Sequence, residues 1–251
     1  MDKIAFLSAE DIKHDFLYPI SYRSAKKRFD ILINNTNQPA IIVENFKGKF
    51  YVNENFKNFA VLKKIDPKRM IPCLIIHNPV EEECDRLLRV LSKSILERPT
   101  WKIQYELIQR LTREFHLGVT EIAKEVNVKD KEIGKFMLEP NIPDYYKSLA
   151  IKKGYGGVMN LICKSDYTDE LKKVLYDLAV ADKHRLTEGK FKSLKRYTKM
   201  GYLLTQNKNL IRRQIIKIVE PKDYIENVYW DKISGRYSQE SRNQKLVLEL
   251  V

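Results

Sequence analysis

The chain has 251 residues, 43% of them hydrophobic and 31% charged, a composition that is typical of folded globular proteins and excludes a disordered chain. It carries 46 lysines and arginines against 33 aspartates and glutamates, a formal net charge of +13 that indicates a polyanionic partner. Three scattered cysteines and four histidines exclude a disulfide framework and give no metal-ligand spacing. No apolar run approaches the roughly 20 residues of a membrane-spanning helix and no signal peptide is visible, so we expect a cytoplasmic protein without membrane association.

The first third of the sequence predicts a mixture of strands and helices. Apolar and turn residues predict a hairpin of two strands, Pro39–Glu44 and Gly48–Asn53, joined by a short polar turn. Apolar side chains with helical spacing follow at Phe56–Ile65, and another apolar strand at Ile71–His77. We therefore expect a small α/β domain over residues 1–98.

After this domain the pattern becomes helical almost throughout, with apolar residues three and four positions apart. The predicted helices are Val80–Leu96, Ile103–Phe115, Asp144–Lys152, Gly157–Cys163, Asp169–Asp182 and Asn209–Val219. Thr168 is suited to capping the helix that follows it. We expect a helical domain over residues 99–186 and a basic C-terminal region over residues 187–251. The fold class is therefore α+β, a small mixed domain followed by a mostly α-helical region.

Residues Val119–Met137 have the spacing of a helix-turn-helix. The residues expected to face inwards are Ile122, Ala123, Val126, Val128, Ile133 and Phe136. Ala123 is small enough for two helices to cross closely, and Asn127 suits the turn because it tolerates positive φ. In such a pair the second helix enters the DNA major groove. The alternative is an ordinary helical hairpin.

The predicted helix-turn-helix would expose a group of polar and charged side chains to DNA. The candidate contact residues are Thr120, Lys124, Lys129, Asp130, Lys131 and Lys135. The three lysines from 129 onwards would contact the groove or phosphates, and Asp130 could accept a hydrogen bond from cytosine N4. Thr120 and Lys124 would contact the flanking DNA backbone. The alternative for Lys131 and Lys135 is a solvated helix face.

From Gly189 to Val219 the sequence has nine basic residues and no acidic one. The candidates for phosphate contact in this stretch are Lys190, Lys192, Lys195, Arg196, Lys199, Arg212 and Arg213. A solvated face normally mixes both signs of charge, so the pattern favours a surface that faces phosphates. A plain charged face and an anionic membrane surface are the alternatives.

The order of these elements resembles the ParB-type partition and nucleoid-occlusion proteins over roughly residues 31–163. In that family Gln-Pro precedes a strand, as at Gln38-Pro39, and a Tyr-Val strand leads to a helix, as at Tyr51-Val52. An Ile-Pro strand follows, as at Ile71-Pro72. The resemblance implies a helix-turn-helix that binds palindromic double-stranded DNA as a homodimer, with a ParA-like ATPase as a possible partner. It implies a role in plasmid or phage partition or in transcription regulation.

The sequence departs from that family at the nucleotide site. The family binds CTP with a Gly-Glu-Arg-Arg turn and a later Glu-Asn-x-x-Arg motif, whereas this chain has Asn53–Asn58 and Lys93–Arg98 at these places. Lys57 and Arg98 remain as candidate cofactor-binding residues. A triphosphate needs several converging donors and a metal, so we expect no cofactor, neither CTP nor Mg²⁺, and no nucleotide switch.

Two other classes of function stay open. A ParB-fold enzyme, a CTPase or nuclease acting on nucleotides or DNA, would use Glu44, Glu54 or Glu97, but their spacing does not argue for a metal site. A protein-interaction module would use the apolar end Leu246–Val251 and an aromatic patch of Tyr224, Tyr229 and Trp230. These same aromatic residues would otherwise complete the C-terminal core.

Overall fold

The computed structural model describes residues 3–34, 40–76, 82–97, 100–220, 230 and 233–235. The chain divides into two compact units, Met1–Met137 and Leu138–Val251. Among the described helices, none combines the length and the apolar character needed to cross a bilayer.

The first unit is built on a four-stranded mixed sheet. Its strands are β1 (Lys3–Ser8), β2 (Ile41–Phe46), β3 (Lys49–Glu54) and β4 (Met70–Ile76), in the order β1-β4-β2-β3. β1 and β4 pair antiparallel, β2 and β3 form an antiparallel hairpin, and β4 runs parallel to β2. Lys47 and Gly48 both have positive φ, which gives the tight two-residue turn that matches the twist of a hairpin.

Six helices of the described part of the first unit accompany the sheet. They are α1 (Tyr22–Asn34), α2 (Phe56–Ile65), α3 (Glu83–Glu97), α4 (Trp101–Phe115), α5 (Val119–Glu125) and α6 (Asp130–Gly134). The predicted hairpin, the helix at Phe56–Ile65 and the later strand are confirmed, with ends shifted by a few residues at most. β1 and α1 were not predicted. β1 exposes the apolar side chains of Ile4 and Phe6, so it lacks the alternation of polar and apolar residues that predicts a strand.

One core joins the sheet to the helix-turn-helix. Val43 and Cys73 of the sheet, Leu107 and Leu111 of α4, and Ile122 of α5 are almost completely buried in the same apolar cluster. The boundary between the two units therefore lies after Met137, whereas the sequence analysis expected one at 98/99. α4 supplies the shared core residues, and for this reason it does not begin a new domain.

The second unit is helical. Its described helices are α7 (Asp144–Lys153), α8 (Gly156–Cys163), α9 (Asp169–Val180), α10 (Glu188–Lys199) and α11 (Lys208–Val219). Thr168 caps α9, as predicted, because its hydroxyl accepts from the Leu171 N–H at 3.4 Å. Leu178, Leu186 and Phe191 share one core, so the expected boundary at 186/187 falls inside this unit.

Trp230 completes the core of the second unit. Its side chain is fully buried, its ring lies 5.4 Å from that of Tyr197, and its Nε1–H donates to the Ile218 carbonyl at 3.2 Å. Trp230 is therefore a core residue rather than part of an exposed aromatic patch. Tyr224, Tyr229 and Leu246–Val251 lie outside the described residues.

A buried ionic cluster holds the first unit together around Arg86 of α3. Its guanidinium donates to both oxygens of Asp15 at 2.7 Å and to Glu83 at 2.6 Å, and it stacks 4.1 Å from the ring centre of Tyr51. Arg110 of α4 donates to Asp15 at 3.1 Å. Burial opposes the charge on Asp15, but the hydrogen bonds and charges of both arginines outweigh it, so the pKa of Asp15 is lowered.

Removing this carboxylate should destabilise the first unit strongly. Asp15→Asn leaves the buried guanidinium of Arg86 without its main counter-charge, and we expect it to lower the free energy of unfolding by about 3–5 kcal/mol. Because the pKa of Asp15 is lower folded than unfolded, its contribution is fully present above the unfolded pKa of about 3.9 and is lost as the pH falls through the folded value. In Asp15→Asn the free energy of unfolding should therefore fall less steeply as the pH is lowered through this range.

Urea unfolding as a function of pH measures both effects. The matched control is Asp66→Asn, which breaks the exposed pair with Arg69 and should cost less than about 1 kcal/mol. Equal effects of the two substitutions would contradict the role of the buried cluster.

Candidate nucleic-acid interface

The helix-turn-helix is formed by α5, a tight turn and α6. Ile122, Ala123 and Ile133 are completely buried between the helices, which confirms the predicted inner face. Asn127 has φ 56° and takes the predicted position in the turn, and the Val128 N–H donates to the Ala123 carbonyl at 2.9 Å. A small residue in the first helix and an asparagine in the turn thus allow the chain to reverse at close range.

α6 is shorter than predicted. The spacing predicted a second helix that includes Phe136, whereas α6 ends at Gly134. The chain continues as tight turns, in which the Phe136 N–H donates to the Ile133 carbonyl at 2.9 Å. Glycine weakens a helix, and the Lys135 carbonyl accepts from Trp101 Nε1–H at 3.1 Å instead of from a following turn of helix. Lys135 therefore lies just beyond α6.

The six predicted contact residues of the helix-turn-helix are all exposed. They are Thr120, Lys124, Lys129, Asp130, Lys131 and Lys135. Two of them are in contact, because the Thr120 hydroxyl donates to Asp130 Oδ2 at 2.7 Å. Thr120 was predicted to contact the DNA backbone, so its hydroxyl has an acceptor within the protein that the sequence did not predict.

The basic stretch of the second unit forms a stripe on α10. Phe191, Leu194 and Tyr197 are buried. Four basic residues of the same helix are exposed at spacings of three and four, which places them along one face. These exposed residues are Lys192, Lys195, Arg196 and Lys199. They are called the α10 stripe below. Arg212 and Arg213 are exposed on α11.

Lys190 differs from the α10 stripe. It is half-buried and forms an ion pair with Glu220, whose second oxygen lies 2.8 Å from His184 Nδ1. The hydrogen bonds from Lys190 and His184 lower the pKa of Glu220. Lys190 thus joins α10 to the end of α11, and the sequence did not predict this because 30 residues separate the partners.

At the position expected for a nucleotide, the start of α2 is occupied by a carboxylate of the protein itself. Glu97 Oε1 accepts from the N–H groups of Asn55 at 2.6 Å and Phe56 at 3.3 Å. An anion at this place stabilises the helix because the first N–H groups have no partner within it. Two of the N–H groups that could hold a phosphate are therefore already satisfied.

Two basic residues of α3 are also paired with carboxylates of the hairpin. Lys93 Nζ lies 2.6 Å from Glu54, and Arg89 forms an ion pair with Glu44, whose pKa is raised by burial even though Arg89 opposes the shift. Arg89, Lys93 and Glu97 are four residues apart on α3 and are called the α3 ladder below. Sequence analysis considered Glu44, Glu54 and Glu97 separately and missed the ladder, although its four-residue spacing was visible.

The residues of this region do not fit CTP. Three carboxylates already take two cations and two backbone N–H groups of the kind that a triphosphate would need. Lys57 Nζ lies 5.8 Å from the ring centre of Tyr18. Arg98 lies outside the described residues. Within the described parts of the chain, no three His, Cys, Asp or Glu side chains are grouped so that they could hold a metal ion.

Comparison with known proteins gives structural likeness only. No protein-family model and no curated protein sequence matches the chain. It is similar to the C-terminally truncated chromosome-partitioning protein ParB from Caulobacter crescentus in complex with the centromeric parS site, with 13% identity, a TM-score of 0.39, and coverage of 84% of this chain and 99% of that one.

Two further solved structures are similar to the chain. The same Caulobacter crescentus protein in complex with CTP-γ-S has 15% identity and a TM-score of 0.27, over 69% of this chain and 97% of that one. The pNOB8-like ParB N-domain has 12% identity and a TM-score of 0.38, over 98% of this chain and 97% of that one. Because all three TM-scores are below 0.5, the proposals below rest on the geometry of the chain itself.

Adding CTP tests whether a nucleotide can bind at the start of α2, where Glu97 accepts from two N–H groups. We expect CTP with Mg²⁺ to leave the Tm of the unaltered protein unchanged. Glu97→Ala removes the acceptor of two N–H groups and should lower the free energy of unfolding by about 0.5–2 kcal/mol. Millimolar phosphate should restore part of this loss in Glu97→Ala and have no effect on the unaltered protein.

Thermal unfolding of both proteins with and without each anion is the measurement. Glu106→Ala is the control, because Glu106 is an exposed carboxylate in an ion pair with Lys102 and lies beyond the first turn of α4. A rise in the Tm of the unaltered protein with CTP and Mg²⁺ would show that the site is open.

Proposed function

We propose that the chain is a sequence-specific double-stranded DNA-binding protein that reads its target through α5 and α6. The observation that carries the proposal is the exposed start of α6, where Lys129, Asp130 and Lys131 face solvent while Ile133 is completely buried below them. A helix that enters the major groove needs this combination, because buried anchors set its angle and the side chains at its start reach the base edges. Its role would be transcription regulation or binding of a plasmid or phage partition site.

The α10 stripe supports the proposal with a different kind of contact. Four cations on one exposed helix face, with no carboxylate among them, suit the regularly spaced phosphates of a DNA strand. Contacts of this kind raise the affinity for every sequence equally. We therefore assign affinity mainly to the second unit and sequence preference to α5 and α6.

The α3 ladder supports a binder that works without nucleotide. Each of its members bridges α3 to the hairpin or to the start of α2, so these elements are connected without a bound ligand. An enzymatic function receives no support from the same region, since Glu44 and Glu54 are both in ion pairs with α3. We propose that DNA binding is independent of CTP.

Two copies of the chain would bind one site. Helix-turn-helix proteins commonly bind as dimers to half-sites about 34 Å apart, so that a palindromic site mirrors the two-fold axis of the protein. We therefore propose a homodimer on a palindromic target.

Removing two lysines of the interface should abolish the sequence preference. Lys131→Ala combined with Lys135→Ala should lower the affinity for the selected site by more than about tenfold and leave the Tm unchanged, because both side chains are exposed. The measurement is selection from a random duplex library at physiological salt, followed by binding titration. The control is Lys26→Ala with Lys27→Ala on exposed positions of α1, which removes the same charge. A retained preference in the 131/135 variant would refute the assignment of α6.

Reversing charges in the α10 stripe should weaken binding to all DNA alike. Lys192→Glu with Lys195→Glu should reduce specific and non-specific affinity by a similar factor and lower the slope of log affinity against log salt by about two, one for each lost phosphate contact. Lys173→Glu with Lys183→Glu, exposed positions of the same unit, is the matched control and should change the slope less. If the slope of log affinity against log salt is unchanged in Lys192→Glu with Lys195→Glu, the α10 stripe does not contact DNA.

A further inference from the structure

Asp130 is an acidic residue between two lysines at the start of the second helix of the helix-turn-helix. It is the first residue of α6, it is exposed, and it lies between the exposed Lys129 and Lys131. A carboxylate here is repelled by phosphates and therefore lowers the affinity for DNA in general. A residue that costs affinity at the start of a groove-entering helix is expected to contribute selectivity instead.

Thr120 fixes the carboxylate of Asp130 in one orientation. Its hydroxyl donates to Oδ2 at 2.7 Å across the two helices, and the start of α5 is itself held by a hydrogen bond from the Gly118 N–H to Glu121 at 2.6 Å. The second oxygen, Oδ1, accepts no hydrogen bond from the described residues. Asp130 thus presents one oriented acceptor to solvent between two exposed lysines.

We propose that Asp130 reads a cytosine in the major groove and that Thr120 is the residue that positions it. The inference rests on the proposed function and adds the base that one residue recognises. Only cytosine N4 and adenine N6 present amino donors in the major groove. In adenine the donor is next to the N7 acceptor, which repels a carboxylate, whereas guanine and thymine present acceptors at the corresponding edge. Cytosine is therefore the base that fits Oδ1.

The test compares base preferences of single variants on the site selected by the unaltered protein. Asp130→Ala should lose discrimination at one base pair by about tenfold or more and should bind unrelated DNA slightly more tightly, because a negative charge is gone. Asp130→Asn should shift the preference at the same pair towards adenine, which an amide contacts through both N6 and N7. Preferences at the other positions should remain.

Thr120 is tested by variants of nearly the same size. Thr120→Val removes the hydroxyl and should weaken discrimination at the pair that Asp130 reads, whereas Thr120→Ser keeps the hydroxyl and should preserve it. The double variant Thr120→Val with Asp130→Ala should behave like Asp130→Ala alone, because the two residues act on one contact. Tm values of all variants check that the fold is kept.

The outcomes separate this inference from the function on which it rests. A selected site in which Asp130→Ala changes no single position, or changes all positions together, overturns the role of Asp130 and leaves the DNA-binding proposal standing. Failure of the unaltered protein to select any site overturns both. If Thr120→Val and Thr120→Ser change base discrimination equally, the hydrogen bond from Thr120 does not position Asp130.

Discussion

The buried guanidinium of Arg86 is the constraint around which the first unit is arranged. A charge with 1% of its side chain exposed is tolerated only when all its donors find acceptors and its charge is balanced. Asp15 comes from the segment after β1, Glu83 from α3 itself, and the ring of Tyr51 from β3. Arg110 adds α4 to the cluster. The sheet is thereby connected to the helix that supplies the core of the helix-turn-helix.

α3, the helix of Arg86, carries a second set of polar contacts on the residues that follow Arg86. At spacings of four, α3 offers Arg89 to β2, Lys93 to β3 and Glu97 to the start of α2. The partly exposed pair of Lys93 with Glu54 contributes little by itself, whereas the Glu44 carboxylate that pairs with Arg89 is buried. Together they connect α3 to the hairpin and to the start of α2 without a bound ligand, which is the physical ground for proposing a DNA binder that needs no nucleotide to order its first unit.

Local patterns predicted the parts of the fold that depend on neighbours in sequence. The small Ala123, the turn residue Asn127 and the anchor Ile133 lie within eleven residues, so their spacing was enough to predict the helix-turn-helix. The pairing of Asp15 with Arg86 spans 71 residues and leaves no periodic signal. The same is true of Lys190 with Glu220, which turned one expected phosphate contact into an ion pair within the second unit. The early end of α6 at Gly134 also depends on Trp101, a partner from α4.

The shortness of α6 limits how much sequence one copy can read. Five residues at 1.5 Å each cover about 7.5 Å of helix, which matches about two base pairs stacked 3.4 Å apart. Two base pairs recur far too often in any DNA to define a site, so one helix-turn-helix of this size cannot be specific on its own. Specificity then needs a second copy at a fixed distance, together with side chains that reject wrong bases rather than only attract DNA. The proposed palindromic site and the proposed reading of a base by Asp130 are two answers to the same physical limit.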